Sequence, residues 1–562
     1  MQKLIELIIL KINTLSTSKL IKYKFLFLFV FSFCIPSVLF AQESEEVYHS
    51  RMKWWDDGRL GMFLHWGVYS TYGGEYGGED HGKEMGHASA EWIFLKANIP
   101  QKEYQKAALN FNPTKYNAKE WVKIARDAGM KYMVLTSKHH DGFALFDTKA
   151  SDWNAVKASG IKKDLIKEYV DACHEAGMRV GFYYSHEKDW THHAKVTKDA
   201  TPLADEYKSF VKTQIKELFT NYGTIDLIWF DTPVAEHKEF NRECAMLVRK
   251  LQPNCIINGR IGNNLGDYKN IGDRAIVDPG LAGYMESIMT MRINWGFDKN
   301  DDYWKSSEDL IRMVSRSACR GSNFLLNIGP KPDGTFPIED RVRLHDLGKW
   351  MNKNGEAIYK TKGSPFMKEH KWGSVTTSKN NNTVYLHLWN WSGGEIELHG
   401  LLSDISKAAF LDSGEKVHVE KLSKGKTKIF LPEKNIGEAT RIVKLEIAGP
   451  VKFDLSAGPD FEGEKVEYVT TRLIKGKVTE LDGTSFTIMG KRSDSTKEGY
   501  EVYSDVEKTF SFSLNDHVRF RTNDNGDIRS VQSLEIQKGK TYRVVYSPYE
   551  EGWVVEIITE MR

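Results

Sequence analysis

Ile225-Asp-Leu-Ile-Trp-Phe-Asp231 is a short, almost continuous apolar run that ends in a carboxylic acid, just before Thr232-Pro233. Runs of the same kind stand at 61–66, 131–137, 179–185, 255–259, 283–289 and 324–328. Between most of them lie stretches whose apolar residues recur at helical spacing, at 118–128, 165–176, 206–222, 238–251, 309–319 and 339–359. Strands apolar on both faces, taking turns with helices, predict a parallel sheet covered by helices. Seven strands can be placed, and an eighth that the pattern does not place would complete a (β/α)8-like TIM barrel. An open doubly wound sheet is the alternative, but no Gly-rich phosphate turn follows the first strand, so there is no nucleotide signal.

Beyond Thr361 the pattern changes. Short alternating runs such as Thr383-Val-Tyr-Leu-His-Leu388 and Arg441-Ile-Val-Lys-Leu-Glu-Ile447, separated by Gly, Ser and Asn clusters, predict an antiparallel β-sandwich over 363–450. Residues 451–562 repeat the pattern at 473–481, 485–489, 517–520 and 541–546, with a turn at Asn523-Asp-Asn-Gly526, and predict an additional small all-β domain of unassigned role. The expected organisation is therefore an α/β catalytic domain over 42–362 followed by two β domains.

The chain has 562 residues, 41% hydrophobic and 27% charged, with a formal net charge of +2. That composition fits a globular protein of several domains and leaves no field to recruit nucleic acid or an anionic membrane. Residues 1–41 read as a signal peptide: a basic stretch ending Lys22-Tyr-Lys24, the apolar run that begins Phe25-Leu-Phe-Leu-Phe-Val-Phe, then Pro36 and the small residue Ala41, after which cleavage is expected. The apolar run falls short of the roughly 20 residues needed to span a bilayer, so no stable membrane insertion is expected and the location is secreted or periplasmic. Cys173, Cys244, Cys255 and Cys319 fall inside apolar periodic segments and read as buried thiols.

A barrel enzyme carries its reactive groups at the C-terminal ends of its strands. Here the successive ends read His65-Trp-Gly67, Lys138-His139-His140-Asp-Gly142, Phe182-Tyr-Tyr-Ser185, Trp229-Phe-Asp231 and Asn258-Gly-Arg260, and the sixth run carries Glu286 with Arg292 and Trp295 beyond it. A lone strand-end His or Asp is usually a cap or a satisfied polar group; six consecutive ends with polar, aromatic or titratable residues point to one site. Strand parity puts Leu227, Trp229 and Asp231 on one face, so an inward Asp231 stands at the rim above an aromatic. Asp226 has the opposite parity and reads as a cap.

These residues resemble a known family. Trp54-Trp-Asp-Asp-Gly-Arg59-Leu-Gly-Met-Phe-Leu-His65-Trp-Gly67, Ala90-Glu91-Trp92, Ser137-Lys-His139-His140-Asp-Gly-Phe143, Gly181-Phe-Tyr-Tyr-Ser185, Ile228-Trp-Phe-Asp231, Met285-Glu286 with Asn294-Trp-Gly-Phe297, and Asn323-Phe-Leu-Leu-Asn-Ile-Gly-Pro330 together resemble the α-L-fucosidases of glycoside hydrolase family 29, over about residues 48–450. The resemblance implies a retaining exo-glycosidase that removes terminal α-L-fucose through a covalent fucosyl-enzyme intermediate. Retention needs two carboxyl groups about 5–5.5 Å apart, one a nucleophile and one an acid that later acts as base. It implies Asp231 as nucleophile and Glu286 as acid/base. Some members place that Glu earlier, after the strand-five Arg; here the stretch from Arg260 to Arg274 holds only Asp267 and Asp273 as acids, and Asp273 is the alternative. By the same resemblance His65, His139, His140, Glu91, Trp92, Arg260 and Arg292 contact the sugar. Trp229 and Trp295 belong to the same pocket, and of the neighbours Tyr183 and Tyr184, which must face opposite ways, Tyr184 is expected to point inward.

No cofactor and no metal are expected, because adjacent His residues on a strand diverge and no third ligand stands at useful spacing. The Gly-rich stretch Tyr72–Gly86 reads as a lid or an aglycone loop. Tyr542, Tyr546, Tyr549 and Trp553 read as an ordinary β core before they read as a sugar-binding face. The expected partner is a fucosylated oligosaccharide or polysaccharide. Two other functions fit the same residues: an α-L-galactosidase of the same family, and a non-catalytic carbohydrate-binding protein on the same scaffold.

Overall fold

The computed structural model describes residues 43–82, 90–192, 202–281, 283–391, 393–422, 425–432 and 440–459, together with most of 472–561. The expected signal peptide, its cleavage point at Ala41 and part of the Gly-rich loop lie outside the described residues. Residues up to Lys53 form a unit of their own, in which the Arg51 guanidinium donates to the Glu43 carboxylate. From Trp54 onward the chain is one unit.

Its centre is a sheet of eight parallel strands: β1 (Leu60–Leu64), β2 (Tyr132–Lys138), β3 (Arg179–Ser185), β4 (Leu227–Asp231), β5 (Ile256–Ile257), β6 (Lys269–Asn270), β7 (Met285–Thr290) and β8 (Ser322–Ile328). The hydrogen-bonded order is β5-β4-β3-β2-β1-β8-β7-β6, so the first and last strands are neighbours, in register Leu60 to Phe324, and the sheet curls as a TIM barrel does. The curl is open between β5 and β6. There Asp267 bridges the seam, its amide donating to the Ile257 carbonyl (2.7 Å) and its carboxylate accepting the Ile257 amide (2.6 Å). The strand that the sequence pattern left unplaced is β6, which is only two residues long and carries no apolar run.

Six helices cover the sheet: α1 (Ala118–Asp127), α2 (Leu165–Ala176), α3 (Asp205–Asn221), α4 (Lys238–Leu251), α5 (Ser307–Cys319) and α6 (Ile338–Asn354). Several start where a side chain satisfies a free amide. Asn117 accepts from Glu120, Asp164 from Lys167 and Ser306 from Asp309. No α-helix lies between β5 and β6 or between β6 and β7 among the described residues; irregular loops take their place. Gly61 shows how tightly the barrel interior is filled, since a Cβ there would stand 2.4 Å from the Tyr132 ring.

Two further sheets follow, of five strands and of three. The first has the order β9 (Thr361–Lys362), β10 (Gly373–Ser378), β11 (Thr383–Leu388), β16 (Arg441–Ile447), β13 (Ile405–Phe410). The second has the order β12 (Gly394–His399), β15 (Lys426–Leu431), β14 (His418–Lys421). They pack over one apolar core that includes Trp372, Val384, Leu386, Ile429 and Val443. The last seven strands, β17 (Arg472–Asp482), β18 (Ser485–Lys497), β19 (Tyr500–Ser513), β20 (Arg519–Asp524), β21 (Asp527–Val531), β22 (Thr541–Tyr549) and β23 (Gly552–Met561), form one sheet in the order β19-β18-β17-β22-β23-β20-β21. A further pairing of β19 with β23 closes it on itself. Tyr542 and Tyr546 belong to its core. The side chains of Tyr549 and Trp553 lie outside the described residues. The cysteines at 173, 244, 255 and 319 are buried and form no disulfide among the described residues.

Candidate active site

The C-terminal ends of the strands surround a small hollow of about 60 Å³ lined by Phe63, His65, Glu91, Trp92, His139, His140, Tyr183, Trp229, Asp231, Thr232, Arg260, Asp273 and Trp295. Nine of the twelve residues expected at the site therefore meet there: Asp231, His65, Glu91, Trp92, His139, His140, Trp229, Arg260 and Trp295.

Asp231 ends β4 with only 8% of its surface exposed. One carboxylate oxygen accepts the Tyr183 hydroxyl (2.8 Å), while the other accepts the amide of Thr232 (2.7 Å) and faces the Arg260 guanidinium at 2.9 Å. The carboxylate is thus oriented from three sides. Thr232 takes a positive φ of 50°, a strained conformation for a β-branched residue, and so turns the chain sharply behind the acid. The other end of the Arg260 guanidinium pairs with Asp273, on the loop after β6. One cation therefore spaces two carboxylates at the mouth. Its own proton is held more firmly than usual by those two acids, against the effect of burial.

Hydrogen-bond direction assigns the histidines. Asn327 donates its amide to the Trp295 carbonyl (2.8 Å), so its oxygen accepts from His65 Nδ1 (2.6 Å). Ser185 donates its only proton to the Lys188 carbonyl (2.7 Å), so it accepts from His140 Nδ1 (2.7 Å). Burial lowers both imidazoles, His65 to about 4, and keeps them neutral. In each ring Nε2 then carries a lone pair, and the pair presents acceptors suited to sugar hydroxyls. His140 Nε2 stands 3.6 Å from Asp231. His139 is likewise buried and its Nδ1 has no hydrogen-bond partner among the described residues. Glu91, pushed up to about 7 by burial, accepts the Gly296 amide at 3.0 Å. Phe63, Trp229 and Trp295 supply the apolar wall, with Phe63 centred 5.1 Å from Trp229 and 6.2 Å from Trp295.

Three expected residues lie elsewhere. Tyr184 faces outward, donating to Gln214 on α3 at 2.7 Å, and its neighbour Tyr183 is the inward tyrosine. The signal was present in β3: Val180, Phe182 and Tyr184 share the parity that packs against the helices, which leaves Gly181 and Tyr183 inside. Arg292 supports a loop instead of touching the pocket, donating to the Asp298 and Asp301 carbonyls at 3.1 and 3.2 Å. Glu286 is the largest departure. It opens β7 at the N-terminal end, is fully buried, and accepts from Trp229 Nε1 (3.0 Å), the Tyr132 hydroxyl (3.1 Å) and the Asn270 amide (2.9 Å). It therefore sits beneath Trp229, on the far side of that indole from the hollow. Burial raises it to about 7 even with these donors. Its apolar flanks in the sequence read the same at either end of a strand, which is why composition did not separate the two positions. Phe63 and Thr232 are the pocket residues that sequence reasoning did not assign to the site, and Tyr183 is the one it weighed against Tyr184 and set aside. The described residues contain no cluster of three or more His, Cys, Asp or Glu able to hold a metal.

The family model described as alpha-L-fucosidase matches residues 39–356. Human plasma alpha-L-fucosidase is 31% identical over 365 residues, 60% of this chain and 72% of the human one. Alpha-L-fucosidase isoenzyme 1 from Paenibacillus thiaminolyticus superposes with a TM-score of 0.64 at 30% identity, over 72% of this chain and all of that one. A GH29 alpha-L-fucosidase from Bacteroides thetaiotaomicron, trapped as a covalent intermediate with 2-fluoro-fucosyl fluoride in a Glu-to-Gln mutant, gives 0.65 at 29% identity, over 71% and 96%. The Vibrio sp. strain EJY3 alpha-L-fucosidase, at 24% identity and a TM-score of 0.67, covers 92% of this chain and shares its fold into the last β domain. A curled parallel barrel with carboxylates, neutral imidazoles and aromatic walls at its C-terminal mouth defines a glycoside hydrolase. Within that class the chain belongs to the α-L-fucosidase family, GH29.

Proposed function

We propose that the protein is a retaining exo-α-L-fucosidase, with Asp231 as nucleophile and Asp273 as acid/base. The observation that carries this reading is the single Arg260 guanidinium shared by the two carboxylates at the pocket mouth. One guanidinium balances one negative charge, so with Asp231 ionised Asp273 holds the proton. In the first step Asp231 attacks the anomeric carbon, the glycosidic C–O bond breaks, and the Asp273 proton goes to the leaving oxygen. Esterification then neutralises Asp231. Arg260 is left with Asp273 alone and stabilises its carboxylate, the form that must take a proton from the incoming water in the second step. Neutral His65 and His140 accept from ring hydroxyls, and the aromatic wall suits the C5 methyl that separates fucose from galactose.

Hydrolysis of an aryl α-L-fucoside tests the assignment. Asp231→Ala should lower kcat by at least about 10⁴-fold. Asp273→Asn should lose about 10²–10⁴-fold on substrates with poor leaving groups and much less on activated aryl fucosides. Azide should restore Asp273→Asn and yield the α-fucosyl azide, the product of attack on a covalent intermediate with net retention. Turnover by Asp231→Ala equal to wild type would dismiss the nucleophile. Equal turnover of the aryl α-L-galactoside would favour the broader specificity. The N-terminal pattern supports secretion to the periplasm or beyond, and release of residues 1–41 is checked by mass spectrometry of the exported protein.

A further inference from the structure

Lys188 lies on the short turn after β3, and its side chain extends over Trp92, the Nζ 4.5 Å from the ring centroid. Trp92 lines the sugar pocket and packs edge-on against His140, 5.4 Å between centroids. The turn is held by the machinery of the site itself. The Ser185 hydroxyl that donates to the Lys188 carbonyl is the one that accepts from His140. The next residue, Asp189, forms a fully buried pair with Lys138 at 2.9 Å, and the amide of Trp190 donates to the His140 carbonyl at 2.8 Å. The ammonium is therefore presented from a fixed backbone.

Among the described residues it is also without a counterion. Lys188 is half-buried, and no carboxylate stands within ion-pair distance of it among the described residues, whereas its neighbours Lys138 and Arg260 are both paired. Asp231 and Asp273 are both engaged by Arg260. Burial lowers the Lys188 ammonium while the Asp231 carboxylate opposes that effect, and the ammonium in turn depresses His139 and His140, so its charge is felt by the site from beside Trp92. Holding a cation partly desolvated with only an aromatic face beneath it is unfavourable until an anion arrives.

Building on the fucosidase reading, we infer that Lys188 is a specificity-determining residue that pairs with an anionic substituent, a sulfate ester or a carboxylate, on the substrate at the mouth of the fucose pocket. The aromatic ring of Trp92 would support the sugar unit carrying that anion while the ammonium meets its oxygens.

The test uses one fucosylated oligosaccharide in three forms: neutral, O-sulfated, and with a uronic acid as the unit adjoining the fucose. The readout is the ratio of kcat/KM on each anionic form to that on the neutral form. Wild type should favour at least one anionic form about tenfold, Lys188→Met should lose that ratio, and Lys188→Arg should keep it. Preference for the sulfated or the uronic form alone supports the inference and identifies the anion. A ratio near one in wild type, or one unchanged by Lys188→Met, overturns it. Calorimetric binding of the same three oligosaccharides to Asp231→Ala, with and without Lys188→Met, reads the pairing without turnover. Absence of fucose release by wild type from any form would refute the activity and leave that binding comparison to decide Lys188.

Discussion

At the residue scale the pocket is a set of acceptors and donors whose directions are imposed from behind. Asn327 turns its amide N–H to the Trp295 carbonyl and Ser185 spends its one proton on the Lys188 carbonyl, and this decides which nitrogen of His65 and His140 is left for the hollow. The Tyr183 hydroxyl does the same for Asp231. Tyr183→Phe should therefore lower kcat/KM about tenfold by releasing the nucleophile's oxygen, whereas Tyr184→Phe should leave kinetics intact and cost about 1 kcal/mol of stability, read by denaturant titration. In the mechanism we propose, Glu286 acts through Trp229, whose indole N–H it accepts, and not on the glycosidic bond. Glu286→Gln replaces one acceptor oxygen by a donor amide facing Trp229, Tyr132 and Asn270, so stability should fall by about 1–3 kcal/mol. Its loss of kcat should be the same for good and poor leaving groups, with no rescue by azide. Rescue would return the acid/base role to Glu286.

At the element scale, position along a strand decided more than identity. The run 283–289 was legible as a strand, but its polar residue comes second in β7 and so lies at the barrel's lower end, with Asn270 and Asn323 as its register partners. The acid/base position we propose is on the loop after β6, where no helix follows the strand among the described residues and Asp273 lines the hollow. Of the two acids in that stretch, Asp267 is consumed at the seam by Arg249 and the Ile257 amide, which leaves Asp273. Gly61 allows Tyr132 to enter the barrel and reach Glu286. Gly61→Ala should destabilise the fold by about 1–3 kcal/mol, seen as a lowered Tm, because the added methyl meets the Tyr132 ring.

At the scale of the whole molecule, buried titratable groups set the pH range of stability. Burial raises Glu91, Asp141 and Glu286 to about 7 and Asp309 and Asp340 to about 6, so these keep a proton that the unfolded chain releases above about 4.5, and folding weakens as pH rises through that window. Burial lowers His65 to about 4, His370 and His387 to about 3, and His139 and His140 further, so these stay neutral where the unfolded chain gains a proton below 6.5, and folding weakens as pH falls. The two sets oppose each other between about pH 4.5 and 6.5. Thermal melts should show a plateau there and a fall in Tm below it, and a Tm that climbs steadily across that interval would contradict the balance. The last β domain is tied to the loop after β7 by the buried pair of Arg543 with Asp302, next to Asp301, which accepts the amides of Ile293 and Asn294. Arg543→Ala should cost about 3 kcal/mol by removing a buried cation from its partner.

The sequence by itself determined the alternation of apolar strands and amphipathic helices, the β-sheets that follow, and the row of reactive residues at successive strand ends, because each depends on local periodicity or on a motif within a few residues. Which tyrosine of a neighbouring pair faced the sugar, which end of β7 held its glutamate, and which acid shared the arginine with Asp231 were decided only by the tertiary structure. Those choices rest on register between strands and on contacts between residues tens to hundreds of positions apart, where burial and hydrogen-bond satisfaction across the barrel outweigh anything read along the chain.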